Sequence, residues 1–161
     1  MTVLIDGHNL IGQMPDIHLG DPDDEEQLLR RLRTYQARTG QQLEVYFDPG
    51  LTYQSPARRA WPGITVHQAG SGQRADDLIV QAIVQHRNPR QLVIVTSDRA
   101  VQQVARHRQA RVVDAAGFVT ELRQARRRKV RRARRPAAGS DPILSRQELQ
   151  DWLTLFKGPA S

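Results

Sequence analysis

Five short apolar runs rich in β-branched residues punctuate this chain, at Val3–Ile5, Leu43–Phe47, Ile64–His67, Leu92–Thr96 and Arg111–Val113. Much of the sequence between them carries helical periodicity. Parallel strands need a crossover connection, and strands buried on both faces read as continuous apolar runs rather than alternating ones. The pattern therefore specifies an α/β fold with a central parallel five-stranded sheet. The clearest helix covers about 23–38, where Leu28, Leu29, Leu32 and Tyr35 share one face, the first turn is acidic and Gly40 follows as a stop. Others run from about Arg74 to His86, from Arg99 to about Arg106, and from near Gly117, where Phe118, Leu122 and Ala125 mark the buried face. The last of these continues into an arginine run.

A chain of 161 residues fits one globular domain with a real core. No window has the apolar length of a membrane span, and the first strand begins almost at Met1, so neither a membrane anchor nor a cleaved leader is expected. Cysteine is absent, which removes disulfides, thiolate nucleophiles and thiolate metal sites, and a cytoplasmic location is expected. The net charge of +7 is concentrated: residues 123–135, "RQARRRKVRRARR", hold nine Lys or Arg and no acid, which leaves −2 for the rest. Of the 24 basic residues 22 are arginine, the side chain suited to bidentate phosphate contacts. Nine like charges within thirteen residues repel one another unless an anion is near, so the run points to RNA. Within it Arg126, Arg127, Arg128, Arg131 and Arg132 are the expected RNA contacts. The domain, 1–135, ends with this helix. Residues 136–161 form a joint, "PAAGSDP", and a short amphipathic helix announced by the capping box Ser145 to Glu148 ahead of Leu149, Trp152, Leu153 and Phe156.

Three carboxylates fall at the ends of strands: Asp6 after the first, Asp48 in "VYFDPG" after the second and Asp98 in "VIVTSDRA" after the fourth. Open α/β sheets bind ligands at their carboxyl edge, and if strands one and four are neighbours, Asp6 and Asp98 face one crevice. Spacing alone does not fix that order. Asp98 serves equally well as a helix cap, and Asp48-Pro-Gly reads first as a turn. In "RADDLIVQAI", at about 100° per residue, Asp76 lies between Ile83 and Val80 inside the apolar arc, whereas Asp77 falls at its edge as a ligand or a solvated cap. A buried carboxylate needs a partner. Clustered carboxylates repel unless a cation joins them, and oxygen donors without thiolates suit Mg²⁺ or Mn²⁺. Asn9, Thr96 and Ser97 stand beside these acids to orient water or phosphate. Gly7 allows a close backbone approach, and His8 reads as a hydrogen-bonded structural residue or a substrate contact.

"LIDGHNLIG", "VYFDPG", "RADDLI" and "VIVTSDRAVQ", in that order, resemble the YacP-like branch of NYN-domain proteins in the PIN-like nuclease superfamily. The resemblance runs from about residue 2 through the arginine helix, and "SRQELQDWLTLFKG" is similar to the helix that closes many members. It implies a three-layer α/β/α, Rossmann-like domain with strand order 3-2-1-4-5 acting as a metal-dependent endoribonuclease. It further implies Mg²⁺ or Mn²⁺ on Asp6, Asp76 and Asp98 as catalytic residues, with Asn9, Ser97 and Asp77 orienting. The substrate implied is mRNA or rRNA, free or on the ribosome. Some relatives carry a further acid one turn after the last aspartate; here that position is Gln102, which leaves the number of ions open.

Two other classes fail on the residues. A haloacid-dehalogenase-type phosphatase needs a second acid two residues after Asp6, where His8 stands, and a body lysine, whereas the only lysines are Lys129 and Lys157. A receiver domain fails on the same lysine. The competing function is a non-catalytic RNA- or ribosome-binding module on the same fold, for which an acid cluster has no use.

Overall fold

In the computed structural model, which describes residues 1–49 and 61–134, the sheet is five-stranded and wholly parallel, ordered β3-β2-β1-β4-β5. The strands are β1 (Thr2–Asp6), β2 (Gln42–Phe47), β3 (Ile64–Gln68), β4 (Leu92–Val95) and β5 (Arg111–Val113). β1 is central, with Asp6 level with Tyr46 of β2 and Ile5 level with Val95 of β4. Winding reverses between β1 and β4.

The period-two alternation of strand side chains divides the core into two layers. Val3, Ile5, Leu43, Val45, Phe47, Val93 and Val95 pack with helices α1 (Gly7–Gly12), α2 (Asp24–Thr39) and α5 (Ala115–Arg134) through Leu10, Leu28, Leu29, Leu32, Phe118 and Leu122. On the other face Leu4, Tyr46, Leu92 and Ile94 meet α3 (Ala75–Gln85) and α4 (Arg99–His107) through Ile79, Ile83, Val101 and Ala105. This is the α/β/α arrangement expected from the apolar runs. α2 ends as its sequence indicates, with Gly40 at φ 68° donating its N–H to Gln36 O at 2.8 Å.

Residues 1–126 make one compact unit; of the second unit, 127–161, the described part is the end of α5. The expected C-terminal amphipathic helix and the joint before it lie outside the described residues. No helix among the described residues is long and apolar enough to cross a membrane.

The structure adds two elements and corrects one expectation. α1 is a six-residue helix directly after β1, too short and too polar at its start to show a periodic signal. Residues Pro89–Gln91 form a 3-10 turn with proline in its first turn. β4 stops at Val95, so Asp98 does not end the strand but begins α4 three residues later.

The close approach at Gly7 is also not to a ligand. A Cβ there would meet Phe47 Cε1 at 2.3 Å and Cδ1 at 2.6 Å, and Phe47 is fully buried. The absent side chain lets α1 start tight against β2 with Asp6 and His8 on either side. Gly7→Ala should therefore lower stability by about 1–3 kcal/mol through overpacking, several degrees in Tm for a domain of this size. Thermal unfolding followed by circular dichroism checks this, and an unchanged Tm contradicts it.

Candidate active site

Asp6 is the last residue of the central strand and is buried. Burial, with the charges of Asp48 and Asp76 adding to it, pushes its carboxyl up from 3.8 to about 6, while the Asn9 backbone N–H at the start of α1 and His8 pull it down. Asp48 follows β2, beside β1. Its Oδ1 accepts from the Ala75 N–H at 2.8 Å, which ties the β2 end to the start of α3, and its Oδ2 lies 3.5 Å from His8 Nδ1. The other ring nitrogen of His8, Nε2, is 3.0 Å from Glu25 Oε1 on α2, and the ring leans on Phe47 at 5.2 Å between centroids. The hydrogen bond to Glu25 raises the His8 imidazole above its ordinary value, with burial opposing it and Asp48 assisting.

Asp76 stands in the first turn of α3 and is half-buried rather than buried. The wheel placed it in the apolar arc, and that arc is real for Ile79 and Ile83. The first turn, however, is held at the carboxyl edge by Asp48, where water reaches it. Asp76 Oδ1 accepts from the Asp77 N–H at 3.1 Å and lies 3.8 Å from Arg74 Nε. Asp77 is exposed and accepts from the Arg74 N–H at 3.1 Å, so it acts as a cap.

Across the switch point, Asn9 Oδ1 accepts from the Ser97 N–H at 2.9 Å. A backbone donor fixes which amide atom faces it, so the Asn9 amide N–H donors are turned away from this bond. Ser97 Oγ donates to Asp114 Oδ1 at 2.7 Å, at the end of β5. Asp98 Oδ1 caps α4 by accepting from the Val101 N–H at 3.1 Å, which leaves its second oxygen outside that bond. Thr96 is fully buried: its Oγ1 accepts from the Asp98 N–H at 3.1 Å, so it shapes the loop instead of orienting water. Gln102 Nε2 donates to Thr96 O at 2.8 Å, a latch that a carboxylate at the same position has no proton to make.

One edge therefore collects Asp6, Asn9, Asp48, Asp76, Ser97, Asp98 and Asp114. Asp48 and Asp76 act electrostatically on Asp6, whereas Asp98 reaches the group through Asn9 and Ser97. Asp48 and Asp114 are the residues that sequence reasoning undervalued. Both directly follow strands, the same signal that singled out Asp6. Among the described residues no three His, Asp or Glu side chains are gathered closely enough to enclose a metal ion. The donors are carboxylate, amide and hydroxyl oxygens, a set that suits a hard cation retaining several waters and held by one or two carboxylates.

The arrangement can be compared with known proteins. The model of the YacP-like NYN domain matches residues 3–157. The chain belongs to the YacP-like NYN domain family. Among solved structures it is similar to Rae1 (YacP) from Bacillus subtilis at 25% identity and TM-score 0.72, covering 83% of this chain and 80% of that one. The W164L mutant of the same protein matches at 25% identity and TM-score 0.68, covering 92% and 90%. Among curated protein sequences there is no significant match. A YacP-like NYN domain is a PIN-like fold of a family whose members are generally nucleases.

Of the expected RNA contacts, Arg126 lies 3.7 Å from Asp16, which Arg31 also engages. Arg127, Arg128 and Arg131 are exposed along the end of α5, and Arg132 belongs to the same helical stretch.

The Asp6 environment has a consequence for stability. Between about pH 4 and pH 6 the folded chain holds a proton that the unfolded chain has released, so stability falls as pH rises through that window. Above it the penalty is complete, at most about 3 kcal/mol. In EDTA at pH 7.5, Asp6→Asn should raise Tm, and the gain should vanish below about pH 4. A lower Tm for the variant at pH 7.5 contradicts this account.

Proposed function

We propose that this protein is a metal-dependent endoribonuclease that hydrolyses phosphodiester bonds of cytoplasmic RNA, mRNA or rRNA, on the ribosome or off it. The observation that carries the reading is the buried Asp6 at the winding reversal, facing Asp48 and Asp76 with no Arg or Lys ion pair of its own among the described residues. A buried carboxylate facing further acids favours a cation. Asp6, Asp76 and Asp98 are the residues that would hold Mg²⁺ or Mn²⁺, Asp6 and Asp76 from one side and Asp98, with its unused oxygen, from the other. Such an ion, when bound, lowers the pKa of a water and neutralises charge on a phosphoryl group. The chain's own contribution is positional. Asn9 turns its amide donors outward from the Ser97 bond, toward where a phosphate oxygen would lie. Ser97 and Asp114 brace the loop that carries Asp98. Asp77 and Asp48 fix the start of α3, and with it Asp76.

A non-catalytic RNA-binding module is the second reading, favoured by the absence of a closed three-ligand group among the described residues. Cleavage separates the two. Asp6→Asn should abolish cleavage of single-stranded RNA in Mg²⁺ or Mn²⁺ with the circular dichroism spectrum unchanged. Asp98→Asn is the sharper variant, because asparagine caps a helix as well as aspartate does. Activity should fall by orders of magnitude while Tm holds within about a degree. Wild-type rates for both variants would leave the binding module.

The arm makes a separate prediction. Replacing Arg126, Arg127, Arg128, Arg131 and Arg132 with glutamine should weaken RNA binding and reduce the salt slope by roughly 0.7 for each phosphate of a single strand that is no longer neutralised. Titrations at several salt concentrations measure this, and an unchanged slope assigns the arginines to another partner.

A further inference from the structure

The stretch from Leu78 to Val113 carries six arginines and a single acid, Asp98. Because β4 and β5 are parallel and the helices run back between them, its two connections, α3 to β4 and α4 to β5, return to the amino-terminal edge of the sheet, opposite Asp6. Asp98 stands at the carboxyl edge, and Arg99 begins α4 beside it. Arg87 and Arg90 lie in the first connection and Arg106 and Arg108 at the end of α4, all four exposed. Arg111 begins β5 but acts on Tyr35, in the other layer.

None of these four arginines forms an ion pair among the described residues. Two are held by neutral acceptors that stitch the connections together. Arg90 Nε donates to Gln109 Oε1 at 2.7 Å, and Arg108 Nη2 donates to the Val84 carbonyl at 2.7 Å. Each bond uses one N–H and leaves the rest of the guanidinium facing solvent. Gln109 is the one non-glycine residue among those described with positive φ, at 64°. A long side chain there is strained, and the fold keeps it where glycine or asparagine is the easy choice, with its amide clamping Arg90. Helix dipoles account for cations at the end of α4. They do not account for Arg87 and Arg90, which lie beyond α3.

We infer that this edge is a second nucleic-acid contact, taking the phosphate backbone of helical RNA. The chemistry is that of phosphate recognition: planar, permanently charged forks, two of them immobilised before any ligand arrives. A rigid array is matched by a rigid ligand. The phosphates of a duplex have fixed spacing, whereas a flexible strand gains little from guanidiniums held in place. The surface faces away from the acid edge, so one RNA region can be gripped here while another reaches Asp6. Only the class of partner rests on the preceding functional reading.

The test reads binding without turnover, in EDTA, with the full chain and a 20-base-pair RNA duplex as probe. Arg87 and Arg106 are the residues to change, since neither side chain makes a hydrogen bond among the described residues. The Arg87→Gln, Arg106→Gln double variant should weaken duplex binding about tenfold near physiological salt and flatten the salt slope by roughly 0.9 for each phosphate no longer neutralised. The Arg87→Lys, Arg106→Lys variant keeps the charge and should restore most of the affinity. Unchanged duplex affinity and slope in the glutamine variant overturn the proposal and leave the edge to another partner, such as an acidic protein. Equal weakening by lysine and glutamine also overturns it, since charge is then not what the surface supplies. Neither result depends on whether the protein cleaves RNA.

Discussion

β1 is flanked by β2 and β4 and covered on both faces, so its terminal residue emerges at one place only, the point where the sheet's winding reverses. Asp6 occupies that place. The rest of the edge is organised around keeping an acid there. Gly7 gives up its side chain to Phe47 so that α1 turns immediately and aims the Asn9 N–H at the carboxylate. Asp48 reaches from β2 to the Ala75 N–H and brings α3, with Asp76, up to the same spot. Every one of these contacts increases the cost of charge on Asp6 or organises what surrounds it. A chain evolved for stability alone would place a neutral residue there, and a site that concentrates like charge is suited to a cation and an anionic substrate.

The sheet was legible because its signal is local. β1 and β4 are apolar runs buried on both faces, β2, β3 and β5 keep enough β-branched or aromatic residues to read as strands despite Glu44, His67 and partial exposure, and four helices carry three or more apolar residues at helical spacing. Strand order was not legible from spacing; it entered through the family resemblance. α1 was missed because six residues beginning Gly-His-Asn hold no periodicity, and the force that makes them helical is the contact between Gly7 and a strand about 40 residues away. The site was legible in outline, since acids at strand ends mark the ligand edge of such a sheet. Its internal wiring was not. Asp48 read as a turn residue because its partners, Ala75 and His8, are distant in sequence. Asp76 read as buried because a helical wheel knows nothing of where the sheet stops.

His8 shows how a structural role and a site role coincide. Its ring is held by Glu25 on one nitrogen and faces Asp48 on the other, so it links α2 to the end of β2 across the top of Phe47. A positive charge there offsets part of the repulsion between Asp48 and Asp6. The imidazole contacts Asp48 directly, whereas Asp6 has only its indirect pull and the Asn9 N–H, and no Arg or Lys ion pair among the described residues.

Charge separation gives the body a direction. Residues 1–126 hold their acids largely at the carboxyl edge and at the start of α2, while the exposed Arg87, Arg90, Arg106 and Arg108 gather at the opposite edge. An acid edge without bound cations repels a polyanion, so attraction must come from elsewhere on the molecule. The arginine run at the end of α5 is one source and the edge of Arg87, Arg90, Arg106 and Arg108, with the Arg90 and Arg108 guanidiniums held in place, is another. They differ in kind. Along the end of α5 the basic side chains sit almost without interruption, a density suited to any phosphate chain. At the edge, Gln109 and the Val84 carbonyl hold guanidiniums in place at a cost in backbone strain. Strain of that sort is maintained where geometry matters, which argues that the edge reads the shape of its partner while the arm supplies affinity.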